Sequence, residues 1–97
     1  MRLVFTPTAS QDMQQIRSYT RARFGIRQER ELVRRFAELS EKLTEFPLSG
    51  VSCGVRDVRT VRVSGTPFVW AYHVDRQHKV VRILACFHTA QQWPELQ

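Results

Sequence analysis

An apolar stripe at helical spacing constrains this chain more than any other feature. Leu32, Phe36, Leu39, Leu43 and Phe46 are separated by 4, 3, 4 and 3 residues, and Val33 widens the stripe. This spacing predicts an amphipathic helix from Arg27 onward, ended by Pro47, whose ring and missing amide proton stop helix propagation. Roughly two heptads fall short of a coiled coil, so the stripe must bury itself against other elements of the same chain.

Upstream, Arg2 to Phe5 reads as a short strand with Leu3 and Phe5 on one face, closed by the turn-prone Thr6-Pro7 pair. Thr8 with Gln11 fits a capping box. Ala9, Met13, Ile16 and Thr20 then recur at helical spacing until Gly25, which predicts a first helix over 9–24 and an αα-hairpin with the second. Residues 47–54, PLSGVSCG, read as a loop. After it, Val61 and Val63 alternate with Arg62, Ser64-Gly65-Thr66 turns the chain, and Phe68, Trp70, Tyr72 and Val74 share one face of a strand that tolerates Pro67 at its start. A polar turn from Asp75 to His78 leads into VVRILACF, a nearly continuous apolar run that marks a central strand covered on both faces. The expected architecture is α+β in the order β-α-α-β-β-β, with the helical hairpin on one face of a mostly antiparallel four-stranded sheet, in one domain spanning 1–97.

Fifteen basic residues, thirteen of them Arg, against nine acidic ones leave a net charge of +6, which suits an acidic protein partner or nucleic acid. Arg17, Arg21, Arg23, Arg27, Arg30, Arg34 and Arg35 lie on the two helices off the apolar stripe, where a solvated face paired with acids such as Glu31 is the plain reading. The N-terminus carries no secretory signal and the apolar run around Val80 to Phe87 is interrupted by Arg82, so a soluble, cytoplasmic protein with no membrane partner is expected. Cys53 and Cys86 lack the spacing of a zinc or redox motif and are expected as free thiols, Cys86 as a small buried hydrophobe; no metal or cofactor is implied. Trp70 and Tyr72 share their strand face with Phe68 and Val74, which favours core packing over a base-stacking platform.

The order of elements and several local motifs resemble the ParE/RelE toxin superfamily over nearly the whole chain. Ala9, Asp12, Met13, Ile16 and Tyr19 look like the first-helix pattern of that family, Leu43, Pro47 and Gly50 like its helix exit, and TPFVWAYHV, through Pro67, Phe68, Val69, Trp70, Tyr72 and Val74, like a strand of ParE-like members. VVRILACFHTAQQW resembles the closing strand and tail, but Gln91-Gln92 stand between His88 and Trp93 where the family often has Arg-Asp, which leaves open any role of that arginine.

The resemblance implies a type II toxin neutralised in a hetero-oligomer by a cognate antitoxin. That interaction is expected to bury apolar surface on the outside of the hairpin or, by strand addition, at a sheet edge. The ParE branch implies a non-enzymatic poison of DNA gyrase. The RelE branch implies a nuclease that cuts mRNA on the ribosome, and an inactive antitoxin-binding relative is the third alternative. Message cleavage needs proton-transfer groups and cations near the phosphate. Here the candidates are His88, at the end of the last strand, with Arg59, Arg62 and Arg82, while His73 and His78 are the other histidines. Arginine stays protonated and is a poor general base, so proton-transfer residues are sparse and gyrase inhibition is preferred. Candidate partner-binding residues are Arg56, Arg59, Arg62, Arg82 and Trp93.

Overall fold

The computed structural model describes residues 1–90. Its elements are β1 (Arg2–Phe5), α1 (Pro7–Phe24), α2 (Ile26–Glu45), β2 (Val51–Ser52), β3 (Val58–Arg62), β4 (Phe68–Asp75) and β5 (Val80–His88). The strands form one sheet in the order β1-β5-β4-β3-β2, in which β1 runs parallel to β5 and the other neighbours are antiparallel. The expected α+β layering holds, with five strands in place of four. The additional strand, β2, is two residues long and sits inside the segment expected as a loop, where pairing with Arg59 and Thr60 creates it.

Helix α1 starts at Pro7, two residues before the expected boundary, and its cap is Thr6, not Thr8. The Thr6 hydroxyl accepts the Ala9 N–H at 3.1 Å, and Pro7 at the first helical position has no amide left to satisfy. Gly25, at φ +94°, ends α1 and begins α2, so one residue joins the two helices. That backbone conformation favours glycine.

Leu32, Phe36, Leu39 and Leu43 are buried, as the stripe requires, but Phe46 is 58% exposed. It lies past the helix end at φ −127°, ψ 73°, which turns it out of the stripe. The receiving surface is the β4 face: Trp70, Tyr72 and Val74 lie across from Cys86, Ile83 and Val81 of β5, and all six are buried in one core cluster. Trp70 is its centre, with Phe5 edge-on at 5.6 Å and Phe36 tilted at 5.7 Å between ring centroids. Core packing is therefore the role of Trp70 and Tyr72. Trp70 Nε1 meets no oxygen or nitrogen acceptor among the described residues, and the Cys86 thiol paired across the strands is the soft group beside it. On the far face of β5, Val80 and Ala85 are also buried, in keeping with a central strand.

Two long-range devices lock this arrangement. The Tyr72 hydroxyl donates to Pro47 O and accepts from Gly50 N–H, each at 2.9 Å, fastening the exit of α2 to the middle of the sheet. A Cβ on Gly50 would lie 2.6 Å from both Thr60 O and the Tyr72 hydroxyl. The second device serves a β-bulge in β5, where the register with β4 slips between Ala71 and Tyr72. Extra residues in a bulge lose ladder partners. Helix α1 and its cap supply them: the Thr6 hydroxyl donates to Leu84 O at 3.2 Å, and Asp12 Oδ2 accepts Cys86 N–H at 3.1 Å.

Tyr72→Phe leaves a buried amide and carbonyl unmatched and is expected to cost about 1–3 kcal/mol in denaturant unfolding. Gly50→Ala, which collides with a backbone carbonyl, is expected to cost about 1–3 kcal/mol as well. Wild-type stability in both variants would refute the fastening role.

Candidate functional site

The sheet has a helix-covered face and a far face, and strand alternation assigns each candidate to one of them. Arg59 pairs with Tyr72 and His88 with Phe68, which puts both on the helix-covered side. Arg62 pairs with Val69, and Arg82 with His73, on the far side. On each side the two positions are four residues apart along β4, roughly 13 Å at the usual strand rise. The four nominated catalytic residues therefore do not converge on one phosphate-sized spot.

Most of them are also engaged inside the fold. Arg59 Nη1 donates to Gly50 O at 2.8 Å and Leu48 O at 3.3 Å, holding the loop that Tyr72 also grips. Arg82 Nη1 donates to Asp75 Oδ2 at 2.6 Å. The same carboxylate accepts from the His78 backbone N–H at 3.0 Å and meets the His78 ring at 2.9 Å. Arg82 foremost, then His78, holds the Asp75 carboxyl far below its ordinary value. His88 stacks edge-on against Phe68 at 5.7 Å, and its Nδ1 accepts Ala90 N–H at 3.0 Å. Arg56 is exposed beside Asp57, and Arg62 is exposed at the sheet edge. Trp93, Gln91 and Gln92 lie outside the described residues. Burial pushes the Cys86 thiol up to about 12, so at neutral pH it is an inert hydrophobe, and both cysteines are free.

Among the described residues, three surfaces stand out as exposed. The first is the β2 side of the sheet. Strand β2 covers only Arg59 and Thr60, so among the described residues β3 has no strand neighbour beyond them on that side. Val63 N–H bonds to Phe68 O of β4 at 2.9 Å, so by antiparallel alternation the amide and carbonyl of Arg62 face the uncovered edge. Phe46, Leu48 and Val51, the last 72% exposed, supply apolar surface in the segment that leads into β2. Neither this edge nor its apolar flank was legible in the sequence, because β2 forms only by tertiary pairing.

The second surface is a cleft of about 580 Å³ between the helices and the β3–β4 turn, lined by Tyr19, Phe24, Leu32, Arg35, Pro67 and Phe68 among others. Its aromatic walls and polar rim suit a side chain with an apolar body.

The third is the hairpin elbow, where Phe24, Gly25 and Ile26 are all exposed. Below it Glu29, buried in the first turn of α2, meets Arg17 at 3.3 Å and Arg21 at 3.8 Å and ties the helices together. Arg34 pairs with Glu31 and Glu38, and Arg35 with Glu31 at 3.1 Å, as a solvated helix face requires. No helix among the described residues is long and apolar enough to cross a membrane.

A folded-state carboxyl held low contributes stability that is present above its unfolded value near 3.8 and lost as pH falls through the folded value. Arg82→Gln removes the main cause, so thermal stability should fall less steeply between about pH 5 and about pH 2 than in wild type. Parallel acid limbs in the two proteins would show that the pair does not act this way.

A profile of the family described as ParE toxin of type II toxin-antitoxin system, parDE, matches residues 3–93. The toxin candidate Y4kP of Sinorhizobium fredii is 29% identical over 65 residues, 67% of this chain and 65% of that relative, so the shared stretch spans less than two thirds of the relative's length. Among solved structures, the chromosomal ParDE toxin-antitoxin system of P. aeruginosa superposes with a TM-score of 0.76 at 23% identity, covering 91% of this chain and 95% of that one. The YoeB/ParE toxin from Agrobacterium tumefaciens superposes with a TM-score of 0.63 at 14% identity, covering 91% and 98%. The RelBE2 toxin-antitoxin complex from Mycobacterium tuberculosis gives 0.54 at 22% identity, covering 90% and 95%. At these identities the structural likenesses establish the shared fold.

Proposed function

The chain belongs to the ParE toxin family of type II toxin-antitoxin systems, and from that premise we propose that it arrests growth by poisoning DNA gyrase until a cognate antitoxin covers it. The observation that carries the choice of target is the dispersal of the proton-transfer candidates. A ribonuclease needs a base, an acid and cations within hydrogen-bond reach of one phosphate. Here His88 and Arg59 sit on the face opposite to Arg62 and Arg82, and Arg59 and Arg82 already serve internal acceptors. A poison that acts by binding needs no such cluster.

For the antitoxin, the exposed edge at Arg62 supports docking by strand addition. An extended segment would take the outward amide and carbonyl of Arg62, set apolar side chains near Leu48 and Val51, and offer carboxylates to the Arg62 and Arg56 guanidiniums.

Expressed alone, the chain is expected to stop bacterial growth, and the neighbouring gene to restore it. Purified toxin added to gyrase and supercoiled DNA should accumulate cleaved DNA, and His88→Ala should retain this activity. Codon-positioned cuts in ribosome-bound message that vanish in His88→Ala would instead establish the nuclease. Arg62→Pro removes one outward amide without touching the β4 ladder. It should weaken antitoxin affinity about tenfold, the scale of one lost interfacial hydrogen bond at the upper end, with toxicity kept. Full affinity in Arg62→Pro would rule out docking at this edge.

A further inference from the structure

The charge of this chain is concentrated at one end of the α1–α2 hairpin. Residues 17–30 carry five arginines and a single acid, Glu29, a net +4 of the chain's +6. Arg17 and Arg21 share Glu29, while Arg23, Arg27 and Arg30 are exposed and have no ion pair among the described residues. At the tip between them two large apolar side chains face water, Phe24 at 61% and Ile26 at 46% exposure, with Tyr19 also 61% exposed one turn back. A Cβ on Gly25 would meet nothing within 4 Å, so the tip projects from the body.

Folding does not require this pattern. The core stripe of α2 begins only at Leu32, and five like charges around an elbow repel one another at low salt. Phe24 also borders the cleft described above, but Arg23, Gly25, Ile26, Arg27 and Arg30 do not line it. A projecting apolar wedge ringed by arginines instead matches a groove in a polyanion, where guanidiniums take phosphates on both walls and the wedge presses on sugars and base edges.

We propose that the α1–α2 elbow is a DNA-docking knuckle, in which Arg23, Arg27 and Arg30 bind backbone phosphates of a duplex while Phe24 and Ile26 enter the groove between them. The inference goes beyond the gyrase reading and rests on it only for the setting in which DNA is met.

The test is fluorescence anisotropy of a short duplex titrated with toxin across a range of salt. Arg23→Gln, Arg27→Gln and Arg30→Gln combined should weaken binding at least about tenfold near 0.1 M salt and flatten the log K against log salt slope by about 0.9 per lost phosphate contact. The charge-matched control, Arg2→Gln, Arg56→Gln and Arg76→Gln combined, should change both far less. Phe24→Ala with Ile26→Ala should weaken binding with the slope unchanged, a signature that net charge cannot produce.

Equal losses in the two triple variants would overturn the proposal, since binding would then follow overall charge. So would intact DNA binding with lost antitoxin binding in the elbow variants, which would make the knuckle's partner an acidic protein. The two readings separate in the gyrase cleavage assay. Wild-type toxin that fails to trap gyrase yet shows the elbow-dependent slope would sink the gyrase reading alone. Wild-type toxin that traps gyrase while the elbow variants bind DNA unchanged would sink the knuckle alone.

Discussion

One constraint governs the molecule: the apolar stripe of α2 is buried in one core cluster with α1, β1 and the β4–β5 face built around Trp70 and Tyr72. Burying large aliphatic and aromatic side chains contributes about 1.5–3 kcal/mol each, far more than any surface ion pair here. Seating the stripe sets the rotation of α2, which turns Arg34 and its acidic partners outward. It also sets the direction of the hairpin, so the one-residue joint at Gly25 is carried away from the core. The position of the elbow, though not its charge, is thus a mechanical result of the same packing that makes the fold.

The motif residues that carry the family resemblance turn out to work mainly on the fold. Asp12 serves the bulge in β5, Tyr72 grips the helix exit at Pro47 and Gly50, and Trp70 fills the centre of the core. Each acts on a group far away in sequence, and each removes an unsatisfied donor or a void that would otherwise cost about 1–3 kcal/mol. Residues so employed are poor material for meeting a partner. Among the described residues, packing leaves over the sheet edge at Arg62, the cleft between hairpin and β3–β4 turn, and the elbow.

Both helices, all four expected strands, and the packing role of Trp70 and Tyr72 were legible in the sequence. They rest on periodicity, on Gly25 and Pro47 as stops, and on a shared strand face. The capping residue was misplaced by two positions because Thr8-Gln11 imitates a capping box, while Thr6 is held in place by Leu84 across the fold. Phe46 obeys the helical spacing but falls beyond the last turn, where the chain is already bending toward the Tyr72 hydroxyl.

The amino-acid sequence by itself determined the element types, the layered α+β architecture and the excess of arginine, because these follow from local pattern and composition. Only the tertiary structure decided that β2 exists, that β1 lies parallel to β5, that β5 bulges, and which arginines are spent internally and which are left exposed. Those outcomes depend on donors and acceptors that meet across tens of residues of chain. Their pairing energies exist only once the helices have been seated on the sheet.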